Sequence, residues 1–214
     1  MKADGTILAR KFIDFTSDKD RMIHAMNRTR RKQSKYGPKS ARGLWAYVKR
    51  LNEDRAKKIS AAIVEFASQH SVDAIVMEHL DFKGCKKRGS KAQRLSMWNH
   101  GIIREKVEQK AHLLGIRIAT ICAWKTSALA FDGSGSVTRD DNNHALATFT
   151  TGKQYNCDLS ASYNIGARYF IRELLKSLPA TEESHVKAKV PDVGRRTSCT
   201  LSTPRTLVKE ISVA

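Results

Sequence analysis

Two carboxylates stand where side-chain chemistry could be placed. Glu78 follows the apolar run Val72-Asp73-Ala74-Ile75-Val76-Met77 and precedes His79-Leu80. A short apolar run of this kind suits a buried strand, and the carboxyl end of a strand in an α/β sheet is where ligands and catalytic groups collect. The plainer reading is a surface acid at a strand end. Asp158 opens a helical stretch, Tyr155-Asn156-Cys157-Asp158-Leu159-Ser160-Ala161-Ser162-Tyr163-Asn164-Ile165. An Asp at that place is also an ordinary N-cap or first-turn residue, complementing the helix dipole. Directly after Glu78 comes a charged loop carrying Lys83, Lys86, Lys87 and Arg88 with Gly84 and Gly89. Glycines permit close backbone approach, and such cations pair with phosphates without reading bases; otherwise the loop is simply solvated. The cysteines Cys85, Cys122, Cys157 and Cys199 are scattered with no CxxC pair. That spacing argues against a disulfide framework and against a self-contained zinc ribbon.

The elements that must position these residues follow from periodicity. The opening 15 residues read as β, with Asp4-Gly5 as a hairpin-type turn and a mixed run of β-formers over 6–13. Residues 17–35 predict a basic helix with a narrow stripe of Met22, Ile23 and Met26, broken by Tyr36-Gly37-Pro38. A longer helix is predicted over 40–69, its stripe being Leu44, Val48, Leu51, Ile59, Ile63 and Phe66. Basic residues dominate the other face of this pair, among them Arg30, Arg31 and Lys32; the scarcity of nearby acids favours phosphate contact over a merely solvated face. A strand at 72–77, a helix at 95–114 stopped by Gly115, and a strand at 116–121 come next. Residues 124–156 are polar, with short β segments around Val137 and Ala147-Thr148-Phe149, and a last helix is predicted over 158–178. The order predicts an α/β fold with a mixed sheet and flanking helices over 1–178, and a disordered Ser/Thr/Pro-rich tail over 179–214.

Charge narrows the class of partner. In 214 residues, 39 Lys and Arg stand against 21 Asp and Glu, a formal +18. Such an excess repels itself unless polyanions neutralise it, which points to nucleic acid; a basic but ordinary enzyme or a ribosome-associated protein is the alternative. No apolar run reaches the roughly 18 residues of a membrane span, and no signal-peptide core opens the chain, so the expected setting is cytoplasmic, without a membrane.

Taken together, the segments resemble the TnpB/OrfB transposon proteins. Ile75-Val76-Met77-Glu78-His79-Leu80 resembles the second RuvC motif of that family, and Cys157-Asp158-Leu159-Ser160-Ala161-Ser162-Tyr163-Asn164-Ile165 the third. Gly115-Ile116-Arg117-Ile118 and Lys125-Thr126-Ser127 sit where the family has a strand and a Thr-Ser pair. The likeness covers residues 1–178 in the right order and extends to the related type V CRISPR effector nucleases. It implies an RNase H-like (RuvC) fold and RNA-guided DNA cleavage, with guide RNA and DNA as partners. It further implies Glu78 and Asp158 as ligands of two Mg²⁺ ions, a hard cation that prefers oxygen donors. Zinc is not expected, because 124–156 lacks the paired cysteines of the family's ribbon. The family's first catalytic Asp lies on an opening strand upstream of the hairpin, so that strand is expected from an N-terminal polypeptide or another chain. The alternative is a catalytically inactive nucleic-acid-binding module or regulator that keeps the fold.

Overall fold

The computed structural model of the chain describes residues 1–80, 99–194 and 197–212. Two long helices come first, α1 (Thr16–Tyr36) and α2 (Arg42–Gln69). Between them Gly37 sits at φ 85°, a conformation that favours glycine, and a single 3-10 turn, Pro38–Ala41, starts the return. The Ser40 hydroxyl donates to the Gly37 carbonyl at 2.7 Å and holds this corner.

Helix α2 packs against α1 and against α3 (His100–Leu113). Its fully buried line is Val48, Asn52, Ala56, Ser60, Val64 and Ala67, mostly spaced by four. These are small or polar residues, which let helix backbones approach closely. Of the stripe read from periodicity, Val48 lies on this line, while Leu44, Leu51, Ile59, Ile63 and Phe66 are only half-buried and flank the seam. Of the polar members, Ser60 donates locally to the Ala56 carbonyl at 2.8 Å, and the Asn52 amide nitrogen donates to Asn99 Oδ1 at 2.7 Å, while the Asn52 side-chain oxygen is buried without a partner among the described residues.

Helices α2 and α3 end in the same way. After α2, Ser71 at φ 47° donates to Ser68 O and Val72 donates to Ala67 O. After α3, Gly115 at φ 68° donates to His112 O and Ile116 donates to Ala111 O. Both are Schellman caps, in which a left-handed residue redirects the chain while two orphan helix carbonyls gain donors. Each hands over to a strand, β1 (Ala74–His79) and β2 (Arg117–Cys122), which pair as a small parallel sheet. Ala67, Ala111 and Ile116 form one apolar cluster with Val72, Ile75 and Ile118 packed on it. Because Val72 is spent on the cap, β1 begins two residues later than periodicity suggests and carries Glu78 within its last two positions.

The described residues divide into two compact units: 11–75 with 99–118, and 1–10 with 76–80 and the part of the chain from 119 onward. The second unit holds a three-stranded antiparallel sheet, β3 (Thr138–Arg139), β4 (Leu146–Thr148) and β5 (Gln154–Asn156). Its register pairs Thr138 with Thr148 and Ala147 with Tyr155. Ala130, Ala147, Phe149 and Cys157 are buried on it, beside Phe131, Val137 and Tyr155. Strand β5 runs directly into α4 (Cys157–Ser177), the central helix of this unit.

Two expectations are corrected. Residues 6–13 form no strand: a turn closes at Lys2–Thr6, but the following residues have no ladder partner among the described residues, and Leu8 and Phe12 stand exposed. The stretch after 179 is not a disordered tail where described. It carries α5 (Ala180–Lys189), a 3-10 turn (Pro191–Gly194) and α6 (Ser202–Ser212). Val190, Val193, Cys199 and Leu207 pack with Ile171 of α4. The last of these helices is amphipathic, and its Leu207 is buried in that cluster.

Candidate active site

Glu78, half-buried near the end of β1, is met by the side chain of Thr126. The hydroxyl of Thr126 lies 2.9 Å from Glu78 Oε1 and 3.0 Å from the Ala123 carbonyl. It has a single proton for two acceptors. Ala123 O already receives the Thr126 N–H at 3.2 Å, so the hydroxyl is the donor Glu78 needs, and a carboxylate is the stronger acceptor. Thr126 is 2 % exposed, which shields this bond from water.

Two side chains of α4, one turn apart, hold the backbone around Thr126. Asn164 is fully buried and uses its whole amide: Nδ2 donates to Thr126 O at 3.0 Å and Leu129 O at 2.9 Å, and Oδ1 accepts from the Leu201 N–H at 3.2 Å. Turning the amide over would set an oxygen against two carbonyls, so its orientation is fixed. Arg168 donates from Nη1 to Cys122 O (3.1 Å) and Trp124 O (2.7 Å), from Nη2 to Thr197 O (2.6 Å), and from Nε to Cys199 O (3.3 Å). Burial pulls its guanidinium below the usual range, while Cys199, Cys122 and the negative charge of Glu78 oppose that shift. Together Asn164 and Arg168 fasten the 122–129 turn to the 197–201 segment.

Asp158 lies exposed in the first turn of α4. The helix is capped by Asn156, whose Oδ1 accepts the Leu159 N–H at 2.8 Å, so Asp158 is free of the capping role considered for it. Its neighbour Cys157 points its sulfur at Ser127 O, 3.5 Å away, and burial raises that thiol's pKa. Thr126 thus touches Glu78, and Ser127 touches the turn that carries Asp158. Both acids are oxygen donors of the kind that suits a hard divalent cation. Among the described residues no group of three or more His, Cys, Asp or Glu is placed to hold a metal ion.

Arg30, Arg31 and Lys32 are exposed on α1, in the other unit. They belong to a stretch without a single acid between Asp20 and Glu53, which also carries Arg21, Arg28, Lys35, Lys39, Arg42, Lys49 and Arg50. Lys83, Lys86, Lys87 and Arg88 lie outside the described residues. Sequence reasoning passed over Thr126, Asn164 and Arg168 as site residues. The available signals were the Thr-Ser pair and two polar residues at i and i+4 on the buried face of α4.

No family model matches the sequence, and no curated protein matches it. Among solved structures the chain is similar to that of a Cas12f1–sgRNA–target DNA complex determined by cryo-electron microscopy, with a TM-score of 0.53 and 18 % identity. The match covers 74 % of this chain and 44 % of that one, so this chain spans less than half the length of its neighbour. The likeness is one of fold: mixed α/β, a small parallel sheet and flanking helices. No helix among the described residues is long and apolar enough to cross a membrane.

Proposed function

We propose that this chain is the RuvC-like portion of an RNA-guided DNA endonuclease of the TnpB/OrfB type. The observation that carries the reading is Glu78, held by the buried Thr126 hydroxyl at the carboxyl end of β1, in a fold similar to a protein bound to sgRNA and target DNA. Glu78 and Asp158 would hold Mg²⁺, which supplies water activation and stabilises a leaving oxygen in phosphodiester hydrolysis. Thr126 keeps one Glu78 oxygen oriented. Asn164 and Arg168 keep Thr126 in place. Exposed Arg30, Arg31 and Lys32, with Lys83, Lys86, Lys87 and Arg88 after Glu78, would neutralise the phosphates of DNA and guide RNA.

A second reading, a nucleic-acid-binding module without catalysis, is favoured by one observation: only two acids, and no third ligand, are candidates among the described residues. Nuclease assays with Mg²⁺ separate the two, supplemented where needed by a polypeptide completing the fold. The enzyme reading expects cleavage that Glu78→Gln and Asp158→Asn each reduce by at least about a hundredfold, the scale of losing one electrostatic contact to the transition state. Binding that is tight at low salt, falls steeply with added salt and is accompanied by no cleavage under any of these conditions selects the second reading.

A further inference from the structure

Trp124 is 64 % exposed, two residues before the threonine that bonds Glu78. An indole left in water forgoes the burial that usually stabilises a fold, whereas Trp45 is half-buried. The backbone beneath Trp124 is the opposite of loose. Its carbonyl takes the 2.7 Å bond from the buried guanidinium of Arg168, and Lys125 follows in a left-handed turn at φ 57°. A ring on a fixed backbone has only two side-chain torsions to lose on binding, so contact with it is made at low entropic cost. Cations follow it along the chain. Lys125 is exposed, and exposed Arg139 is tethered through Nη2 to the Ser127 hydroxyl at 2.8 Å.

We propose that Trp124 is a stacking platform for an unpaired nucleobase, which sets the adjoining phosphate beside Glu78. This rests on the reading of Glu78 as part of a nucleic-acid-cleaving site. Two residues of chain separate the Trp124 and Thr126 Cα atoms by no more than roughly 7 Å, so a base on the indole brings its own backbone into the neighbourhood of the carboxylate. Every base has a π-face, which makes the platform tolerant of sequence, and Lys125 and Arg139 take phosphates without reading bases.

The test is fluorescence anisotropy of the full chain with labelled oligodeoxythymidylate, oligouridylate and a DNA duplex, without divalent cation so that no strand is cut. Trp124→Ala should weaken single-strand binding about 5- to 150-fold, the equivalent of ~1–3 kcal/mol per stacked base. The slope of log affinity against log salt should stay unchanged, because stacking releases no counterions. Trp124→Phe should restore most of the affinity, and duplex binding should not move, since paired bases offer no free face. Whichever oligonucleotide shows the loss identifies the strand that is seated. Equal affinity of wild type and Trp124→Ala for both single strands, an equal loss for duplex, or a flattened salt slope would overturn the platform. If Trp124→Ala has no effect while Glu78→Gln still abolishes cleavage, only the platform falls. A wild-type chain that binds no nucleic acid overturns the platform and the nuclease reading together.

Discussion

A single hydroxyl proton decides how Glu78 is held. Thr126→Val keeps the shape of the side chain and removes that proton, leaving a half-buried carboxylate without its donor. The expected cost is about 1–3 kcal/mol by urea denaturation, the range for deleting one partner of a buried hydrogen bond to a charged group. A double-mutant cycle makes the measurement specific: once Thr126 is Val, adding Glu78→Gln should cost less than it does in the wild type, by about 0.5 kcal/mol or more. Strict additivity of the two changes would mean that the bond does not form in solution. The acids themselves could be picked out from the sequence because their local contexts are self-contained, a strand end for Glu78 and a helix start for Asp158. Thr126, Asn164 and Arg168 could not, because each acts on backbone carbonyls at least 29 residues away or on an acid 48 residues away. Nothing in a local pattern announces such partners.

At the scale of elements, the paired caps on α2 and α3 offer a clean comparison. Gly115 adopts its left-handed conformation freely, whereas Ser71 takes the same role with a Cβ at φ 47°. Ser71→Gly should therefore raise stability by about 0.5–1 kcal/mol and Gly115→Ala lower it by about 1 kcal/mol, both read from urea midpoints at constant slope. An unchanged midpoint in both variants would count against the caps as determinants of where β1 and β2 begin. Helices α1 to α4 and both strands of the parallel pair were legible in the periodicity to within a few residues, whereas α5 and α6 were not. What it misplaced, apart from Val48, was the buried line of α2. A helix contacted by two others buries the small residues between its apolar ridges, and Ala56 and Ser60 do not register as hydrophobic positions. The strand expected over 6–13 failed for a related reason: β propensity describes a residue's fit to a ladder and does not supply the neighbour.

At the scale of the whole molecule, net charge was the feature most legible from composition alone, and the end of the chain was the least. The buried Arg168 gives that end its importance. Of its four acceptors, Cys122 O and Trp124 O lie after β2, while Thr197 O and Cys199 O come from the segment where periodicity runs out. A gene trimmed to the residues with visible helical pattern, with a stop codon placed after 178, would therefore encode an enclosed cation deprived of two of its acceptors and an Asn164 oxygen without its donor. Leaving such groups unpaired costs several kcal/mol, comparable with the whole stability of many domains. The shortened product is expected to accumulate in the insoluble fraction or be degraded, while a chain ending at 212 stays soluble, as a fractionation blot would report. Arg168→Met in the shortened chain should recover part of the soluble yield, because the stranded charge leaves with it. Designers who choose expression boundaries by apparent disorder would, in this protein, cut through the counterpart of its central helix.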